Sequence, residues 1–270
     1  MAAEKAKVLV AVKASPEPSS TYGDTVCVAG IRLDRSQPEW IRLYPIPYRQ
    51  LADPKTFRKF VVIDVDINAS PRDPRPESRR PVLESIVPQG QPWGNRARGA
   101  LLEPMVTTMC HLRAGLDADI NGPSLGIVRP ATVKRLAITN HPGWTGAQTR
   151  SIANFIGQPS LLNPDARLIP LEAPRFEARY EYTCEESGCK GHKQRILDWE
   201  LVAYERRLKS QSDELARASI KDKFFDMICS PQRRTHFIVG NFADATKRKN
   251  FSVLGMYYPP AGSDYGATLF

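Results

Sequence analysis

Short runs of β-branched and aromatic residues, several alternating with polar ones, fill the first quarter of the chain. Val8 to Val12 comes first, then Thr25 to Leu33, Trp40 to Tyr44 and Phe60 to Ile67, each bounded by Pro, Gly, Asp or Ser. In the last run Val61, Ile63, Val65 and Ile67 share one strand face, and Val62, Asp64 and Asp66 share the other. Ile41 and Leu43 oppose Trp40, Arg42 and Tyr44 in the same way. No long helical pattern separates these runs. A βαβ winding is therefore disfavoured, and a small antiparallel sheet or barrel is expected.

The segment from Asn68 to Pro81 breaks the pattern. Its four prolines exclude a regular helix or central strand. A strand is expected over Leu83 to Val87, and helical spacing over Ala97 to Leu116 with an interruption at Pro104. Strands follow at Leu125 to Val128 and Thr132 to Thr139. After the loop from Asn140 to Gly146 comes a short helix near Gln148 to Phe155, and residues 156–174 read as irregular. The last third holds a strand over Arg175 to Thr183, helices over Gln194 to Lys209 and Asp213 to Cys229, and closing strands over His236 to Val239 and Phe251 to Tyr258. Leu197, Leu201, Tyr204 and Leu208 make one helical stripe, and Ser212 or Asp213 is placed to cap the second helix.

The expected fold class is α+β. Three segments are expected: a β-rich subdomain over residues 1–81, a mixed α/β segment over 82–170, and a C-terminal strand–helix–helix–strand subdomain over 171–270. Composition agrees with a folded, water-soluble chain: 41% of residues are hydrophobic and 25% charged. No apolar run reaches the ~18 residues a membrane helix needs, so no membrane partner is expected. The N-terminus does not read as a secretory signal. With five cysteines, an odd number, this points to reduced thiols in the cytoplasm.

Charge changes the picture more. There are 38 Lys and Arg against 29 Asp and Glu, a net charge of +9. That balance favours polyanionic partners, DNA or RNA. Arg72, Arg75, Arg79 and Arg80 lie in the proline-rich break, where an ordered phosphate-binding loop competes with a solvated linker. Lys190, Lys193 and Arg195 follow the last cysteine pair, and Lys247, Arg248 and Lys249 sit together before the final strand. Trp144, in a Gly/Pro turn, is a candidate to stack on a base. Trp40, Arg42 and Tyr44 have the chemistry of a single-strand platform, unless that face is buried.

The strongest chemical signal is Cys184-x4-Cys189-x2-His192 between a strand and a helix-like run. Two thiolates and an imidazole suit Zn²⁺, and Gly188 and Gly191 fit a tight turn around an ion. A closed structural site needs a fourth ligand. Cys229 is favoured, because two antiparallel helices would return the chain to its start; His236 and Asp198 rank behind it. An open fourth position would instead make a catalytic zinc, with Glu185, Glu186 or Asp198 as base. Asp64 and Asp66 could hold Mg²⁺, although alternation of this kind is ordinary for a half-wet strand. Phosphate-loop and serine-hydrolase motifs are absent. The sequence thus favours a zinc-stabilised nucleic-acid-binding protein. A metal-dependent enzyme on nucleic acid or nucleotides is the alternative, and a protein-interaction subunit the third reading.

Overall fold

The computed structural model describes residues 3–19, 23–51, 53–156 and 169–263. In chain order the strands and α-helices are β1 (Glu4–Lys13), β2 (Glu17–Ser19), β3 (Gly23–Arg32), β4 (Glu39–Ile46), β5 (Val62–Ala69), β6 (Ser78–Pro81), β7 (Val87–Gln89), α1 (Asn95–Leu102), β8 (Val106–Thr107), α2 (Met109–Ala118), β9 (Leu125–Val128) and β10 (Pro130–Asn140). Then come α3 (Gly146–Ile156), β11 (Phe176–Cys184), β12 (His192–Arg195), α4 (Trp199–Arg207), α5 (Asp213–Lys221), β13 (His236–Asn241) and β14 (Phe251–Tyr257). The protein is a β-rich mixed α/β fold. Its compact units are Met1–Pro71 with Ser78–Pro92 and His141–Arg175, and Arg72–Glu77 with Trp93–Asn140 and Phe176–Phe270.

In the first unit the early β runs close on themselves. The sheet runs β1-β3-β4-β6-β5, and β5 pairs back onto β1. β1 is antiparallel to both β3 and β5, while β4 and β6 run parallel. Closure leaves β1 no free edge. Ile63, Val65 and Ile67 are buried as their alternation predicts, and α3 packs on β2 and β3. Trp40 and Tyr44 are half-buried, but Arg42 is buried at 2% exposure with its Nη1 3.1 Å from Cys27 Sγ. That burial takes Arg42 off any wet aromatic platform.

In the second unit one three-stranded sheet (β10-β11-β12) and one four-stranded sheet (β14-β13-β9-β8) share an apolar core. Every second residue of β11 enters it: Phe176, Ala178, Tyr180, Tyr182 and Cys184. Phe237 of β13 stacks on Tyr180 with ring centroids 4.5 Å apart. Several boundaries differ from the expected ones. The long helix around Pro104 is instead α1, a 3-10 turn over Glu103–Met105, β8 and α2. Proline at the 3-10 turn ends one element, and Thr108 starts the next by accepting a hydrogen bond from the His111 amide. Gln194 and Arg195 lie in a strand, not at a helix start, because Asp198 caps α4 four residues further on. Ser212 caps α5, which continues as a π-helical turn over Asp222–Met227. Leu83–Ser85 is a 3-10 turn rather than a strand. Most of the irregular run at 156–174 lies outside the described residues.

This packing makes two stability predictions. Gly30 of β3 faces β1 so closely that an added Cβ would lie 2.5 Å from both Leu9 O and Val8 Cγ1. Gly30→Ala is expected to cost about 1–3 kcal/mol in urea denaturation, since backbone cannot yield cheaply. His236 on β13 is fully buried, stacks on Tyr257, and holds Nε2 3.2 Å from Glu103 Oε1. Burial, then the guanidiniums of Arg129 and Arg234, push its pKa down to about 4. The unfolded ring titrates near ~6.5, so the unfolded chain binds the extra proton between those values. Stability should be full above about pH 6.5 and fall by about 3 kcal/mol as pH drops to 4. His236→Gln should start less stable and show a shallower acid limb; equal limbs would clear His236.

Candidate functional site

The β11–β12 hairpin brings the first three candidate ligands together. Cys184 ends β11 and is 3% exposed. The turn then needs two left-handed glycines, Gly188 at φ +75° and Gly191 at φ +98°. The Cys189 amide donates to Glu186 O, and the Gly191 amide donates to Cys189 Sγ at 3.4 Å. His192 opens β12 directly across from Tyr182.

The fourth donor comes from α2. Thr108 caps that helix and its hydroxyl also donates to Glu186 Oε2 at 3.0 Å, tying helix start to hairpin turn. Cys110, in the first helical turn, therefore meets the hairpin. Nε2 of His192 lies 3.5 Å from Cys110 Sγ, 3.4 Å from Cys184 Sγ and 3.2 Å from Cys189 Sγ, and the latter two sulfurs are 3.6 Å apart. All four donor atoms lie within 4.8 Å of one another. Around a tetrahedral ion with ~2.3 Å metal–sulfur and ~2.0 Å metal–nitrogen bonds, neighbouring donors stand about 3.5–3.8 Å apart. Cys110, Cys184, Cys189 and His192 can thus hold a metal ion as a Cys3His set.

Electrostatics fit that role. Burial, followed by the nearby sulfurs of Cys184 and Cys189, pushes the Cys110 thiol up to about 12. Burial also opposes ionisation of Cys184, but hydrogen bonds from the amides of Glu186 and Cys110, together with those to the Cys110 and Cys189 thiols, hold it below the usual range. Burial and then Arg113 depress His192, which keeps a lone pair free for a cation. A cation centred here would relieve the repulsion among the sulfurs.

The residues expected as fourth ligand have other duties. Cys229 Sγ donates to Phe224 O at 3.7 Å, beyond the π-helical turn, and burial pushes its thiol up to about 12. His236 faces Glu103, and Asp198 accepts from the Glu200 amide at the start of α4. Of the candidate bases, Glu185 is bound by Arg129 and Glu186 by Thr108. Asp64 and Asp66 lie across from Lys7 and Lys5 on β1, and Asp64 accepts from Gln89. Among the described residues neither belongs to a group of converging metal donors.

Beside the cluster, still within the second unit, opens a cavity of about 580 Å³ with Gly191 and His192 in its wall. Arg113, Arg179, Lys193, Arg195 and Lys249 also line it. Four of these cations lean on carboxylates: Arg179 and Arg195 on Glu177, Lys193 on Glu181, and Lys249 on Asp117. Of the basic residues singled out in the sequence, Lys193, Arg195 and Lys249 are therefore brought together, with Lys190 exposed on the adjoining turn. Arg179 and Arg113 carry no such signal in the sequence, because each stands alone among neutral or acidic neighbours.

The other predicted cations divide by burial. Arg75 is 7% exposed, clamps Asp73 and donates to Asn241 O at 2.7 Å. Arg248 is 2% exposed and donates to Ala243 O. Burial removes both from the surface that a phosphate could reach. Arg72, Arg80 and Lys247 are exposed and Arg79 is half-buried. In the first unit Trp144 is half-buried, donates its indole N–H to Leu171 O and packs edge-on against His141.

A β-rich α/β fold carrying a Cys3His cluster is thus the class that fold and site define. Residues 105–270 match the family described as "Domain of unknown function (DUF8757)", and residues 4–103 match "Domain of unknown function (DUF8758)". The first match spans more than half of the chain, which therefore belongs to the DUF8757 family. No curated protein matches the chain. Among the described residues no helix is long and apolar enough to cross a membrane.

Substitution separates the two ligand assignments. Reduced protein titrated with Co²⁺ should show thiolate-to-metal absorption that weakens strongly in Cys110→Ser. Cys229→Ser should leave it unchanged.

Proposed function

We propose that this chain is a zinc-stapled, nucleic-acid-binding protein, in which the ion fixes the β11–β12 hairpin to α2. Three thiols and an imidazole are a donor set that suits Zn²⁺, and four protein ligands leave no open position for substrate. On this reading the zinc is structural, and binding belongs to the surface it organises.

The observation that carries the binding role is the cluster of five cations around the cavity beside His192. Three carboxylates, Glu177, Glu181 and Asp117, accompany them, so the group keeps a net charge of +2 (five minus three). Lys249–Asp117 is an exposed pair of the kind that contributes only about 0–1 kcal/mol, so a phosphate oxygen can replace that carboxylate at little cost, whereas the partly buried Glu177 and Glu181 hold Arg179, Arg195 and Lys193 in place around the cavity. Arginine forks suit phosphate geometry, and the chain's net charge of +9 supports attraction at longer range.

Binding to single- and double-stranded DNA and RNA, measured by anisotropy across a salt series, tests this. Affinity should fall linearly on a log–log salt plot, and Lys193→Ala with Arg195→Ala should lower the slope by about 0.7–0.9 per lost phosphate contact. Absence of binding to all four at low salt would remove the proposal. For the zinc, the purified protein should carry about one equivalent that a chelator removes with loss of thermal stability.

A further inference from the structure

We infer that the cleft beside His192 receives one unpaired nucleotide, so that the protein selects single-stranded over duplex nucleic acid. This rests on the nucleic-acid reading above and specifies which form that site takes. The first argument is shape. A cavity of about 580 Å³ falls in the range of sites that enclose a small molecule, roughly 300–1,000 Å³. A duplex keeps its base faces stacked inside and offers only a ridge of phosphates, which cannot enter such a space. A splayed base can.

The second argument is chemistry. Half-buried Phe242 and exposed Asn250 line the cavity, together with Phe251 and Ser252, which are only 6% and 4% exposed. An aromatic wall serves the π-face of a base, and every base has one. The polar side chains provide donors and acceptors for a base edge or sugar. A bare phosphate would leave both the aromatic wall and most of the volume unused. The cations, in contrast, come from α2, β11, β12 and the segment before β14. That spread suits phosphates on both sides of an inserted nucleotide better than one small anion.

The position of the cleft adds a constraint. His192 is at once a member of the Cys3His set and part of the cavity wall, and Lys193 follows it directly. The hairpin that the cluster holds therefore supplies two of the surfaces around the inserted nucleotide.

The experiment compares single-stranded oligonucleotides of DNA and RNA with their matched duplexes at one salt concentration, using wild type, Phe242→Ala, Phe242→Tyr and Lys193→Ala. Thermal melts check that each variant is folded. Single strands should bind at least about tenfold tighter than duplexes. Phe242→Ala should abolish that preference without changing the salt slope, and Phe242→Tyr should restore it. Lys193→Ala should lower the slope for both forms. Equal binding of single strands and duplexes, or a preference that survives in folded Phe242→Ala, overturns the inference while leaving nucleic-acid binding intact. Failure to bind any nucleic acid defeats the parent proposal instead.

Discussion

Three sulfur atoms and one imidazole nitrogen within 4.8 Å of one another set the terms for the second unit. Atoms of this kind do not gather through hydrophobic contact alone. Thiolates repel, and their environments differ: burial and the neighbouring sulfurs push Cys110 up, whereas hydrogen bonds from two amides and the neighbouring thiols overcome burial at Cys184 and hold it down. The backbone is committed to the same point by two left-handed glycines and by a helix start whose capping hydroxyl also reaches the turn. Strand β11, helix α2 and strand β12 thereby converge on one centre, and Cys184 at that centre is also part of the core that β11 enters.

The first unit depends on a different constraint. Among the described residues its strands meet no such cluster, and they bury edges by closure, with β1 paired on both sides. This explains why its polar residues look chemically suggestive in sequence yet have ordinary partners. Asp64 and Asp66 sit across from lysines, as like-charged strands could not, and Arg42 is enclosed beside Cys27.

Much of this fold is legible in the sequence because strand alternation reports burial directly. Ile63, Val65 and Ile67 mark one face of β5 by their spacing alone, and the Cys184–Cys189–His192 spacing marks a turn for an ion. Cys110 is not legible for two reasons. It lies 74 residues before Cys184 (184 minus 110), and apparent helical spacing across Pro104 hides the helix start at Thr108. A cysteine in the middle of a helix looks structural, whereas one in the first turn of a capped helix is presented to whatever packs there. Cys229 draws attention because a helix hairpin would return it to the turn. The π-helical turn and the core around Tyr180 place it elsewhere.

Basic residues show the same limit in another form. Counting arginines in sequence gives Arg75 and Arg248 the same weight as Lys193, yet the first two spend guanidinium donors on backbone carbonyls inside the protein. Sequence neighbours do not decide which cations reach the cleft; the elements that carry them do. Residues 113, 179, 193, 195 and 249 are distant in the chain and adjacent around the cleft only because α2, β11, β12 and the approach to β14 converge there. Since the Cys3His set joins three of those four elements, the constraint that places the sulfurs also places most of the charge.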